Sequence, residues 1–371
     1  MKKLVSLVMV VLLAAALFTG CATKTEDTST AEATEATATE ATEAPAEEAT
    51  EEPEATTVPE SEAIVLKFGN ASAPDKLGSV CMENFCELVT ERTNGALVCE
   101  WYPSEQLGSS TAQIEAMMAD NQAGNCTGID VYGTYNNALN VLAVPFAFES
   151  GEHIQAWLAS DYGQAVIEDL AETANLRLIT ANMVRTPREI ISTTPVYTPD
   201  DLEGKAARVA NVPMQFKFFS YWGCSTNQIS WAEYPMALMQ GVVNCGETSC
   251  ESFSTSKFHL YAPYISMVDF AYPLDCIMMS NDIFMSLTEE QQQIIYDAAA
   301  EVCDYYNSKC LSDWEAYKPT MIEEGAQFIE VDRQVWIDDM ANFKQQLIDE
   351  NFFDDPNIFD TVEACRPSAT N

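Results

Sequence analysis

Cationic side chains are scarce in this chain, 18 Lys and Arg against 57 Asp and Glu, so a cation at the end of an apolar stretch is the first place to look for chemistry. The segment Thr198 to Pro213, TPDDLEGKAARVANVP, opens with a Thr-Pro-Asp turn, breaks at Gly204 and enters a short apolar strand with Arg208 at its outer end. In open α/β sheets, a strand end facing a cleft is where ligands bind. A guanidinium presents a planar fork of donors that matches a carboxylate at two points. Arg208 therefore reads as an anion clamp, or else as half of a salt bridge to Asp200 or Asp201 that closes the turn. Asn211 lies three residues further on and is counted with it. Arg185 and Arg188 stand at another strand's exit, directly after the predicted strand Leu176 to Val184. Glu189 is the neighbour that could occupy Arg188 instead.

Most other chemistries lack their residues. There is no G-x-S-x-G elbow, no H-E-x-x-H and no phosphate-binding glycine loop, and only His153 and His259 could move protons near neutral pH. An extracellular enzyme is therefore a remote alternative, and no catalytic residue, cofactor or metal is expected. A formal charge of −39 argues against nucleic acid, since no basic surface exists to displace counterions from phosphates.

The elements that must position these residues follow from periodicity. Ile64 to Phe68 alternates as a strand, Lys76 to Thr93 carries Leu77, Val80, Cys81, Phe85, Leu88 and Val89 on one helical face, and Leu97, Cys99 and Trp101 alternate again. A helix with Ile114, Met117 and Met118 precedes a strand over about Cys126 to Tyr132 and the apolar run Val141 to Phe148. Helical segments cover roughly Glu152 to Ala174, Met214 to Trp222 reads as a short helix, and strands follow at about Tyr264 to Phe270 and Leu274 to Met279. This βα alternation implies a largely parallel sheet. Thr288 with Gln291 forms a capping box. The helix it opens would reach about 45 Å at Lys318, and Pro319 should end or kink it.

The N-terminal region is of another kind. Lys2 and Lys3 precede an apolar run, Leu4 to Leu17, that is shorter than a membrane span, and it ends in Leu17-Phe18-Thr19-Gly20-Cys21. This resembles a bacterial lipoprotein signal, with Cys21 as the lipidated residue; an ordinary signal peptide is the alternative. Residues 21–62 then collapse to Thr, Glu, Ala and Pro, a composition too poor in apolar groups to order itself. Eleven of the 12 cysteines follow Cys21, at spacings that miss zinc-site patterns. Most read as free buried thiols, with Cys245 and Cys250 the foremost candidates for a disulfide.

Read in order, Tyr102-Pro103 with Gln106-Leu107-Gly108, Pro145-Phe146-Ala147-Phe148, Arg188, Thr198 to Lys205, Arg208-Val209, Gly223, Trp231-Ala232-Glu233 and Gly241-Val242-Val243 resemble the extracytoplasmic solute receptors of tripartite ATP-independent periplasmic (TRAP) transporters, of the DctP type. The likeness runs from Ile64 to about Phe343. It implies two α/β lobes of the periplasmic-binding-protein kind, joined by crossing strands, with a long helix spanning both and the solute in the cleft. The lobes would comprise residues 63–186, with about 274–312 returning to the first, and 187–273, with about 313–367 returning to the second. It implies a non-enzymatic receptor, expected as a monomer, that hands an organic acid to ion-gradient-driven membrane subunits. The solute receptor of an ATP-driven importer is the alternative. By position, Arg208 resembles the carboxylate-gripping arginine, Arg188 or else Arg185 the supporting one, Trp231 the aromatic wall and Glu247 the acid of a segment that reads Gln-Glu-Asn-Pro in relatives. Here that segment is Gly246-Glu247-Thr248-Ser249, so Thr248 replaces an asparagine, and Asn70 stands in a loop that often holds a histidine. Thr248 and Asn70 are expected in the pocket lining, while Glu247 is expected to bond backbone or an arginine.

Overall fold

The structure, a computed structural model, describes residues 63–367; the lipoprotein signal, Cys21 and the acidic tether lie outside the described residues. The first lobe opens with β1 (Ile64–Gly69), α1 (Leu77–Arg92), β2 (Leu97–Tyr102), α2 (Ser110–Met118) and β3 (Gly124–Gly128). In α1 the four-residue spacing of Cys81, Phe85 and Val89 puts all three in the core. The strand expected to reach Tyr132 stops at Gly128, and the chain continues as two 3-10 turns, Ile129–Thr134 and Asn137–Ala143. The second turn is seeded by Asn136, whose side chain accepts from the backbone N–H of Ala138. Two helices follow, α3 (Gly151–Ala159) and α4 (Asp161–Ala174); Ser160 separates them, its hydroxyl accepting from Gly163 N–H.

The chain then crosses between sheets in one extended passage, from β4 (Leu176–Val184) to β5 (Arg188–Ser192). The second lobe continues with β6 (Ala206–Val209), α5 (Pro213–Tyr221), β7 (Ser225–Gln228), α6 (Tyr234–Met239), β8 (Cys245–Ser249), α7 (Phe253–Ser256) and β9 (Tyr264–Met267). β10 (Leu274–Ser280) crosses back, followed by α8 (Asn281–Met285), α9 (Glu289–Glu323), β11 (Gln327–Glu330), α10 (Arg333–Asp349) and α11 (Ile358–Glu363). The sheets have orders β2-β1-β3-β10-β4 and β11-β9-β5-β8-β6-β7. Neither is purely parallel. β10 runs antiparallel to β3 and β4, and β5 antiparallel to β8 and β9. The crossing strands explain the difference from expectation: they enter directly from the other lobe, without the crossover that parallel pairing needs.

α9 is the brace. Its 35 residues make it about 52 Å long. It begins at the Thr288–Gln291 capping box and runs through Pro319 to Glu323, so the proline does not end it. Ile295, Val302, Cys303 and Tyr306 pack in the first lobe's core, whereas Trp314 and Met321 pack in a core of the second. Burial of Met321 beyond the proline holds the last turn against the one backbone bond that Pro319 cannot make. α10 and α11 tie the lobes a second time. Trp336 donates to Tyr197 O at 3.2 Å, while at α3 Trp157 donates to Thr361 Oγ1 at 2.9 Å and His153 Nε2 meets Val362 O at 2.8 Å.

All eleven cysteines from Cys81 to Cys365 are free. Cys245 begins β8 and Cys250 follows its end, which separates them by about 16 Å of extended chain, too far for a disulfide. The sulfurs of Cys86 and Cys99 lie 2.7 Å apart, and the Cys224 and Cys245 side chains also meet.

Candidate functional site

A cavity of about 460 Å³ lies between the sheets, lined by the loop after β1, the starts of α1 and α2, the exit of β3 and the strand ends of β5, β6 and β8. Four cations line it: Lys76, Arg185, Arg188 and Arg208. They fall into two kinds.

Arg185 and Arg188 are fully engaged. Arg188 Nη1 donates to Glu247 Oε1 and Oε2 at 2.9 and 2.7 Å, and Nη2 donates to Asp130 Oδ2 at 2.9 Å, joining strand ends of both lobes. Gly128 makes room for this, since a β-carbon there would come within 2.5 Å of Asp130 Oδ1. Gln215 Nε2 donates to Glu247 Oε1 at 2.9 Å, so Glu247 bonds an arginine, as expected. Arg185 donates to Glu251 Oε1 at 2.7 Å, Asp275 Oδ1 at 3.3 Å and Ser252 Oγ at 3.1 Å. In both arginines these carboxylates outweigh burial and hold the guanidinium above its ordinary pKa. Glu189, weighed above as a partner of Arg188, turns away and accepts from Val268 and Asp269 N–H.

Arg208 is the other kind. It is 4% exposed, its Nε donates to Ile229 O at 3.0 Å, and no carboxylate pairs with it among the described residues. Asp201 accepts from Tyr197 and Thr198 N–H instead, so the turn salt bridge is not formed. The guanidinium rests on aromatic faces, 4.9 Å from the ring centre of Tyr234 and 5.7 Å from that of Trp231. Burial is the main cause that pulls it below its ordinary pKa, with Arg188 adding repulsion. A buried cation with four of its five N–H groups unpartnered among the described residues is costly unless an anion joins it.

Trp231, Asn70 and Asn211 line the cavity with Arg188, Arg208 and Glu247. The Asn70 side chain shapes its own loop, accepting from Ser72 N–H at 3.0 Å and donating to Ser79 Oγ at 3.2 Å. Asn211 Nδ2 donates to Thr111 Oγ1 at 3.1 Å, a second bond across the cleft. Thr248 is not part of the lining. It alternates with Glu247 along β8, so its side chain takes the opposite face, where its hydroxyl is 3.4 Å from Ser249 O. Gly246, on Thr248's face, has no room for a side chain: a β-carbon would lie 2.1 Å from the Tyr234 hydroxyl. Both histidines serve elsewhere, His153 of α3 against Val362 O of α11 at 2.8 Å and His259 beside Glu324 at 2.7 Å. Sequence reasoning missed Asp130, Gln215 and Lys76 as cleft residues. For Lys76 a signal existed, the same scarcity of cations that singled out Arg208.

The chain belongs to the DctP family, bacterial extracellular solute-binding proteins of family 7, whose model matches residues 68–351. It is thus an extracytoplasmic solute-binding protein of the TRAP type, not an enzyme. The solute-binding protein RD1_1052 of Roseobacter denitrificans is 25% identical over 269 residues, 72% of this chain and 82% of the relative. Its crystal structure, with bound L-galactonate, matches at TM-score 0.75 and 24% identity over 82% of this chain and 99% of that one. The 2,3-diketo-L-gulonate-binding periplasmic protein YiaO of Escherichia coli is 25% identical over 279 residues, 75% of this chain and 84% of YiaO. A TRAP solute-binding protein from Ochrobactrum anthropi with bound L-fuconate matches at TM-score 0.75 and 25% identity, covering 82% of this chain and 99% of that one. No described helix is long and apolar enough to cross a membrane.

Proposed function

We propose that this protein captures a small organic acid, a polyhydroxy carboxylate, in the interlobe cleft and delivers it to the membrane subunits of an ion-gradient-driven TRAP transporter. The observation that carries this is the buried guanidinium of Arg208, which pairs with no carboxylate among the described residues. A carboxylate there completes its donors, Trp231 supplies the wall, and Arg188 holds the strand ends of β5 and β8 in place through Glu247 and Asp130. Glu247 acts through Arg188, and Asn70 and Asn211 set the shape of the cleft. Galactonate, diketogulonate and fuconate, attached to three relatives, share one carboxylate on a hydroxylated chain. With each charge-assisted bond contributing about 1.5–3 kcal/mol, a fork and a few neutral donors reach the roughly −8 kcal/mol of micromolar binding. Nothing in the cleft or among the relatives favours an ATP-driven importer. Lipidation at Cys21, with residues 21–62 as tether, would hold the receptor at the outer face of the cell membrane. Mass spectrometry of the mature N-terminus tests that separately.

A thermal-shift screen of organic acids against residues 63–371 tests the clamp. At least one hydroxy acid should raise the midpoint of the wild type, and Arg208→Ala should abolish the rise. Equal shifts in both proteins would remove Arg208 from the role.

A further inference from the structure

Away from the cleft, two threonines fasten α1 to β2, the edge strand of the first sheet. Thr90 donates its hydroxyl to Cys86 O at 2.9 Å and accepts from Cys99 N–H at 2.9 Å, so one side chain bonds the backbones of both cysteines. Thr93 accepts from Leu97 N–H at 3.1 Å and holds the start of the same strand. Leu97, Cys99 and Trp101 alternate onto the face of β2 that packs with α1. Within this frame the two sulfurs are 2.7 Å apart, nearer than the roughly 3.5–4.0 Å at which even non-bonded carbons rest. A further approach of about 0.7 Å reaches the length of a disulfide bond.

The pair is also open to reagents. Cys99 is partly exposed, and both cysteines line an open groove of about 720 Å³ together with Glu87, Trp101 and Pro103. No residue of that groove lines the interlobe cavity. Cys224 and Cys245, which also meet, are both buried and lie outside the groove.

We propose that Cys86 and Cys99 form an intramolecular disulfide that staples the edge strand of the first sheet to α1. The dithiol is the state described above, and the bond is made by exchange with a disulfide oxidant, small molecule or protein, of the extracytoplasmic space. Cys99, the more exposed thiol, loses its proton, and its thiolate attacks one sulfur of the oxidant's S–S bond, releasing one thiolate. The Cys86 thiolate, its proton likewise given up, attacks the Cys99 sulfur and releases the second. The chain's two thiols are oxidised, the oxidant's disulfide is reduced to two thiols, and these take up the two protons. Burial first, then the Cys86 thiol, hold the Cys99 thiol well above its ordinary pKa, so the exchange is slow at neutral pH. Cys86 and Cys99 are 13 residues apart, so the bond closes a short loop and removes freedom from the unfolded chain. β2 pairs with β1 alone, and the staple keeps this edge from peeling away.

The experiment treats dithiothreitol-reduced, desalted protein with oxidised glutathione, blocks the remaining thiols with iodoacetamide in denaturant and maps the peptides by mass spectrometry. A peptide pair joining Cys86 to Cys99, split by dithiothreitol, is expected. The linked protein should melt about 5 °C above the reduced one. That difference should vanish in Cys86→Ala and in Cys99→Ala, whose cooperative unfolding shows that they are folded. Complete alkylation of both cysteines, a glutathione adduct left on Cys99, or a link from either to another cysteine overturns the disulfide. Equal midpoints for the linked and reduced proteins overturn its role as a staple. None of these readouts involves a solute, so they stand or fall apart from the Arg208 clamp.

Discussion

Arg188 and Arg208 lie one strand apart and do opposite work, which only their partners reveal. Arg188 satisfies two buried carboxylates, so Arg188→Met should leave both unpaired and destabilise the protein by about 3–5 kcal/mol, measured as a shift in the urea midpoint. Arg208 satisfies no carboxylate among the described residues, and removing a lone buried charge relieves a cost. Arg208→Met should therefore keep or raise the midpoint of the solute-free protein while weakening acid binding by about 2–3 kcal/mol, on the order of 30- to 150-fold in Kd. Thr248 looks away from the cleft, and Thr248→Val should leave solute affinity within about twofold. Arg208 was legible because a cation at a strand end is rare in so acidic a chain. Its lack of a partner was not, since Asp200 and Asp201 stand closer in sequence than any group it meets in space.

At the scale of elements, α9 shows how tertiary packing overrides a local breaker. The capping box starts the helix where the sequence says, but the stop at Pro319 is outweighed by the burial of Met321. Pro319→Ala should restore the missing backbone bond and raise stability by about 1–3 kcal/mol, checked by chemical denaturation. The crossing between β5 and the β9–β10 connection holds a second device. Glu189 is 1% exposed and bonds Val268 and Asp269 N–H; burial first, then Asp269, push its carboxyl well above its ordinary value of 4.5. The folded chain thus keeps a proton that the unfolded chain releases. This contribution is fully present below pH 4.5 and is lost as pH rises toward the folded pKa, by at most about 1.4 kcal/mol per pH unit. Glu189→Gln keeps an acceptor for both N–H groups, so it should flatten that decline and raise the unfolding midpoint at pH 7. An unchanged pH profile would place the proton elsewhere.

At the scale of the whole molecule, the lobes are joined by the crossing strands, by α9 and by the last helices. Phe353, Ile358 and Val362 are buried in the largest core cluster, although they lie beyond the residues matched by the family model. Ending the chain at Asn351 would expose that cluster and lose about 5–9 kcal/mol, at roughly 1.5–3 kcal/mol for each of the three apolar side chains. A calorimetric midpoint unchanged by the truncation would show that the family core is stable without them.

By itself the sequence determined an acid-rich α/β body, the positions of most helices and strands, and the arginines at strand exits, while the two lobes followed only from the resemblance to known solute receptors. Those features are written in local periodicity, turn chemistry and the rarity of cations, which neighbours along the chain are enough to specify. Only the tertiary structure decided strand direction, the passage of α9 through its proline, and the division of four cleft cations into two engaged and two with donors left over. Asp130 reaches Arg188 across 58 residues and Lys76 reaches Ser252 across 176. A charge's function depends on whether such a partner arrives, and burial and pairing over those separations are properties of the folded chain alone.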